Sequence, residues 1–178
     1  MSPAGQGDRP DNSKELERLA RAGRDGLRVG VAESLTSGLL CSELGKGEKA
    51  STWFAGGMVT YFTSVKERLL GLPHGVDPCS AECAEQLAAG ARLLLDTDVA
   101  VSTTGVGGPE PEDGHPPGTV YLGWSTRNGT GHHHLQLDGD PSEVLSRTVA
   151  AALVLLADLA DSDLSDSDLS GTGGAAAG

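Results

Sequence analysis

Residues 28–38, Arg28-Val29-Gly30-Val31-Ala32-Glu33-Ser34-Leu35-Thr36-Ser37-Gly38, decide the fold. Arg28 to Ala32 is an apolar run of strand length, and it reads as a short buried strand. A helix follows from about Thr36 to Leu44. A strand that turns at once into a helix is the repeating unit of an α/β sheet. The hydroxyls of Ser34 and Thr36 fall at the turn, where backbone N–H groups can point at a developing anion. Capping the helix is the simpler use of the same hydroxyls, and spacing alone leaves both readings open.

Outward from this unit, helical and strand patterns alternate. Asn12 or Ser13 starts a helix carrying Leu16, Leu19 and Ala20 on one face, to about Arg24. Gly57 to Tyr61 is the next strand, and Ser64 caps a short helix stopped by Gly71 and Pro73. Ser80 caps a helix with Cys83, Leu87, Ala91 and Leu94 at helical spacing. Asp98 to Gly105 is a strand entering a Gly/Pro loop that ends near Gly118. Thr119–Ser125 and His132–Leu137 form a hairpin around Asn128-Gly129, and a last helix starts near Pro141. The fold class is α/β, a single-domain mixed sheet covered by helices.

The chain has 178 residues, enough for one domain with its own core. Aromatic residues make up only 3%, so Ala, Leu and Val must build that core. A net charge of -12 leaves little basic surface for a phosphate backbone, which argues against nucleic acid as a partner. No apolar run approaches the ~18 residues of a membrane span, and residues 1–10 lack the apolar segment of a secretory signal. Cys41, Cys79 and Cys83 cannot pair completely, so a reducing, cytoplasmic setting is expected. Residues 1–10 and 161–178 are expected to be disordered tails around a domain at 11–160. From Asp158 onward there are five Asp and no Lys or Arg.

Three stretches carry chemistry-bearing groups at strand ends: 33–38, 60–66 and 103–109. The second supplies Tyr61 and, five residues on, Lys66. A lysine is usually a solvated charge, yet a buried one can lose its proton and activate a hydroxyl. The third, Thr103 to Pro109, is a Gly-rich turn able to nest an anion. His132-His133-His134 alternates faces along a strand and reads as a polar edge. Cys79 and Cys83 read as small buried hydrophobes, so no metal site is expected.

The order and spacing of AESLTSG (32–38), WFAGGMVTYFTSVKERLLGLP (53–73), SAECAEQLAAGA (80–91) and TGVGGPEPEDGHPPGTVYLG (104–123) resemble the CinA C-terminal domain family. Its enzymatically active members are nicotinamide-nucleotide amidases. The resemblance implies Ser34 as nucleophile, Lys66 as its base and Tyr61 as a positioning or relay group. It implies Thr36, Ser51, Thr104 and Gly105 as substrate contacts, no cofactor, and a homodimer. The implied reaction deamidates nicotinamide mononucleotide to nicotinic acid mononucleotide and ammonia. Leu35 and Ser37 replace a family cysteine and glycine, and Pro141 and Leu145 replace two arginines. Arg147 is then the basic residue expected to meet a phosphate. Those replacements also motivate a second reading, a non-catalytic nucleotide-binding or interaction domain.

Overall fold

The computed structural model describes residues 10–171, with side chains to residue 165. Five strands form one sheet in the order β2-β1-β3-β4-β5. They are β1 (Val29–Glu33), β2 (Phe54–Val59), β3 (Val99–Gly105), β4 (Thr119–Thr126) and β5 (Gly129–Gln136). β1 pairs in parallel with β2 and β3, while β3–β4 and β4–β5 are antiparallel, so the sheet is mixed as expected. Helices α1 (Ser13–Arg24), α2 (Leu39–Leu44), α3 (Thr63–Leu70), α4 (Ala81–Leu94) and α5 (Pro141–Gly171) cover it.

Strand alternation sorts the buried side chains onto two faces. Val29, Val31, Val99 and Val101 pack with Leu19, Leu40, Leu153 and Leu156 of α1, α2 and α5. Ala32 and Ala100 pack on the other face with Leu70, Cys83, Leu87 and Ala91 of α3 and α4. That second face is made of small residues, which lets α4 lie close to the sheet. A Cβ on Gly123 would fall 1.9 Å from the Ala84 carbonyl oxygen, and Ser102 Oγ donates to the same oxygen at 2.6 Å. Close backbone approach here requires glycine. Gly90 does the same service where α4 passes the end of α3, since a Cβ would meet the Leu70 carbonyl oxygen at 2.5 Å.

Several boundaries differ from the sequence reading. The helix expected from Thr36 starts at Leu39, because residues 34–38 form a turn around a buried carboxylate described below. β2 spans Phe54–Val59 rather than 57–61, so Tyr61 lies beyond the strand. Ser64 does not cap α3, which begins at Thr63 after the extended residue Phe62. Ser80 does cap α4, accepting from Cys83 N at 3.1 Å. α5 begins at Pro141 behind a reciprocal capping box. In it Asp140 N donates to Glu143 Oε2 at 2.9 Å and Glu143 N to Asp140 Oδ1 at 3.0 Å.

The larger correction is at the C-terminal end, where α5 continues through Asp161 to Gly171. Asp158 and Asp161 bind Arg18 of α1 at 2.6 and 2.8 Å, and Asp163 binds Arg127 at 3.1 Å. Leu164 packs against the core. A segment too acidic to fold alone is thus neutralised by arginines elsewhere in the chain. Residues 1–9 and 172–178, also expected to be tails, lie outside the described residues. Deleting residues 161–178 should therefore lower unfolding free energy by about 1–3 kcal/mol in a urea titration, where a loose tail would leave it unchanged.

Candidate active site

The site is built from the turn that follows β1. Glu33 is fully buried, on the face of β1 that Val29 and Val31 share. Its carboxylate accepts four hydrogen bonds: from Thr36 Oγ1 at 2.6 Å, Gly38 N at 2.8 Å, Leu40 N at 3.1 Å and Cys41 N at 2.8 Å. These close residues 34–38 into a fixed turn and satisfy the first N–H groups of α2. Ser37 (φ 50°) and Gly38 (φ 103°) take left-handed conformations to complete it. The helix N–H groups expected to face a developing anion are therefore taken by Glu33. Neighbouring Cys41 has its thiol pushed up by burial and by the Glu33 carboxylate.

Ser34 sits on the rim of this turn, half-buried, with its backbone N donating to the Thr103 carbonyl at 2.9 Å. It opens onto a cleft of about 330 Å3 at the C-terminal ends of β1 and β3. Tyr61, Lys66, Thr104 and Gly105 line the same cleft, so five of the eight expected site residues come together. Lys66 is only 2% exposed, held by α3 against α4. Its Nζ donates to the Tyr61 carbonyl at 2.8 Å. Burial pushes the Lys66 amine below the ordinary lysine value, with the Cys83 thiol and the Glu112 carboxylate opposing the shift. Thr104 Oγ1 is occupied, donating to the Pro78 carbonyl at 2.6 Å.

Three expected contacts are not in the cleft. Thr36 is fully buried, bonded to Glu33 Oε2 and to Thr103 Oγ1 at 2.7 Å, so it braces the turn. Ser51 is exposed on a 3-10 turn, Ala50–Thr52, that leads into the start of β2. Phe54 pairs with Val29 at the opposite end of β1 from Ser34, which explains the separation. Arg147 is exposed and donates to the Asp138 carbonyl at 2.8 Å. Pro141 and Leu145 of α5 reach the cleft in its place. Tyr61 touches Lys66 through its carbonyl, while its side chain is 67% exposed.

Sequence reasoning gave Glu33 no role, although its place inside an all-buried strand was a signal that it has to be satisfied. It also passed over Thr63, read Cys79 only as a small buried hydrophobe, and read Glu110, Glu112 and Asp113 only as a loop more acidic than a phosphate pocket favours; all five line the cleft. Burial holds the Cys79 thiol up at about 11, and acidic neighbours add to the shift, so it stays protonated at neutral pH. Among the described residues no group of three His, Cys, Asp or Glu is placed to hold a metal. The histidines of β5 are used otherwise. His132 Nδ1 meets Glu85 Oε1 at 2.7 Å, and His134 stacks on Tyr121 with ring centroids 4.6 Å apart.

The turn makes a sharp stability forecast. Glu33→Ala leaves four donors without their acceptor, two of the bonds fully buried, and should destabilise the chain by about 3–5 kcal/mol. Glu33→Gln keeps the shape but loses the charge and one acceptor oxygen, and should cost about 2 kcal/mol. Chemical denaturation of both variants checks the order.

Comparison with known proteins follows the same lines. The family model described as CinA C-terminal domain matches residues 12–160. A CinA-like protein of Frankia casuarinae is 35% identical over 150 residues, covering 82% of this chain and 35% of the relative. A Geobacillus kaustophilus protein named after competence-damage induction is 38% identical over 152 residues, covering 83% of this chain and 36% of the relative. The chain thus spans about a third of the length of the curated relatives it matches. Among solved structures, a CinA superfamily protein of Escherichia coli superposes with a TM-score of 0.80 at 31% identity, covering 89% of this chain and 95% of that one. A competence/damage inducible protein of Agrobacterium tumefaciens superposes with a TM-score of 0.76 at 31% identity, covering 86% and 99%. The chain, from its buried-carboxylate turn to its mixed five-stranded sheet, belongs to the CinA C-terminal domain family.

Proposed function

We propose that the chain is an amide hydrolase using Ser34 as nucleophile and Lys66 as base, acting on the carboxamide of a pyridine nucleotide such as nicotinamide mononucleotide, or of a related small amide. The observation that carries this reading is the Lys66 amine, 2% exposed, lining one cleft with Ser34. Burial makes that amine a base at lower pH than a solvated lysine, and a serine hydroxyl needs a base to attack an amide.

In this reaction Lys66 Nζ takes the Ser34 proton as Oγ bonds to the amide carbon. The proton then passes to the leaving nitrogen, which departs as ammonia when the C–N bond breaks. Water attacks the acyl-serine, gives its proton to Lys66, and the carboxylic acid leaves as Ser34 is regenerated. Leu35, Gly107 and Gly108 line the cleft, and their backbone N–H groups have no partner among the described residues. They are the donors available to an oxyanion. Lys66 now bonds the Tyr61 carbonyl rather than Ser34 Oγ, so a rotamer change on substrate binding belongs to the mechanism. A ligand-binding domain without catalysis is the competing reading that this bond favours. The reading also takes the chain as a cytoplasmic homodimer. Val59, Tyr61 and Phe62 beside the open β2 edge are 49%, 67% and 75% exposed, offering a second copy an apolar surface. No helix among the described residues is long and apolar enough to cross a membrane.

Ammonia release from nicotinamide mononucleotide is the direct assay, and Ser34→Ala or Lys66→Met should lower it by at least about a thousandfold. Saturable binding without ammonia release from either the mononucleotide or its riboside would instead support the non-catalytic reading. Tyr61→Phe should change turnover by less than about threefold, because the phenol is not what touches Lys66; a large loss would restore the relay role.

The pH profile should rise with pH as the depressed Lys66 loses its proton. Glu112 favours the ammonium form, so Glu112→Gln lowers the Lys66 pKa further. The acidic limb of the profile should then move to lower pH. A shift to higher pH would contradict the assignment of Lys66 as base.

A further inference from the structure

The charge around the cleft narrows the substrate further, on the footing of the amidase reading above. Glu110, Glu112 and Asp113, from the loop between β3 and β4, all line it. None of their carboxylates is in an ion pair or side-chain hydrogen bond with another described residue. The loop itself is pinned. His115 Nε2 meets Asp77 Oδ2 at 2.7 Å, and Glu112 and His115 exchange backbone hydrogen bonds at 3.1 and 2.9 Å. The three negative charges are therefore held at the cleft.

No described residue lining the cleft forms an ion pair with them. Lys66 is the one basic residue among those lining the cleft, and its burial favours the neutral amine. Arg147 turns away to the Asp138 carbonyl, and α5 offers the cleft only Pro141 and Leu145. The start of α5, otherwise a ready anion site, is closed by its own Asp140 and Glu143. The cleft thus sets three exposed carboxylates beside a single buried amine, whose Nζ is bonded to the Tyr61 carbonyl.

We infer that the cleft selects its carboxamide by charge, taking an N-ribosylated pyridinium carboxamide that carries no phosphate and discriminating against the phosphorylated form. The ring cation meets the loop carboxylates favourably, and a dianionic phosphate beside them is repelled. The ring keeps its charge throughout the hydrolysis, so the preference holds in the transition state as well as on binding. The product gains a carboxylate and is less well tolerated by the same loop, which aids its release.

Ammonia release is compared for nicotinamide riboside and nicotinamide mononucleotide with the full chain. The riboside should have a kcat/KM higher by about tenfold or more at low salt, narrowing at about 0.5 M salt as screening sets in. Replacing the loop acids together (Glu110→Gln, Glu112→Gln, Asp113→Asn) should bring the ratio close to one by improving the nucleotide. Equal or better use of the nucleotide by the wild type, or a ratio the triple variant does not change, overturns the inference while leaving the amidase reading intact. If neither compound releases ammonia, the amidase reading fails, and calorimetric binding decides the charge rule alone. The riboside should then bind at least about tenfold tighter than the nucleotide and also tighter than benzamide riboside, whose ring is neutral. Equal affinities, tighter nucleotide binding or no binding at all would overturn it.

Discussion

The fully buried carboxylate of Glu33 is the constraint on which the site depends. An ionised carboxylate inside a core is tolerated only when its lone pairs are filled, and four donors from the next eight residues fill them. Meeting that demand forces the chain to fold back over the end of β1 before α2 can begin. Ser34, the first residue after Glu33, is left on the rim of the turn with its backbone tied to β3 through Thr103. The position of the nucleophile candidate is thus set by satisfying a charge that takes no part in the chemistry.

The same demand explains what the sequence could and could not tell. The strand–turn–helix order was legible from the apolar run at 28–32 and the small polar residues after it. The start of the helix was not, because Thr36 and Gly38 look like helix residues until Glu33 claims their donors. Lys66 was legible only as a candidate, since its burial at 2% exposure comes from how the whole chain packs. That packing is a tertiary property with no local signature. The extension of α5 is still more remote, resting on an arginine 143 positions away from Asp161.

Arg147 lies outside the cleft for a reason that was available in the sequence. Residues 141 and 145 are four apart and share one helix face, while 147 lies two residues further, about 200° around the axis. If Pro141 and Leu145 face the cleft, Arg147 cannot. Its guanidinium instead satisfies the Asp138 carbonyl in the linker between β5 and α5. Ser51 lies outside the cleft for a different reason. Its neighbours Trp53 and Phe54 open a strand parallel to β1, so it sits where that strand begins, and the cleft lies where strands end.

Two buried ionisable groups then lie near one serine without compensating each other. Glu33 lies on the face of the sheet covered by α1, α2 and α5, while Lys66 belongs to α3 and senses Cys83 of α4, which packs on the other face. The groups that act electrostatically on Lys66 are Cys83 and Glu112, not Glu33. Because four hydrogen bonds already stabilise the Glu33 carboxylate, it has no need of a cation. Were the two in contact, they would form an ion pair and lock Lys66 in its protonated, non-basic form. Keeping the two apart leaves the carboxylate structural and spares the Lys66 amine that ion pair.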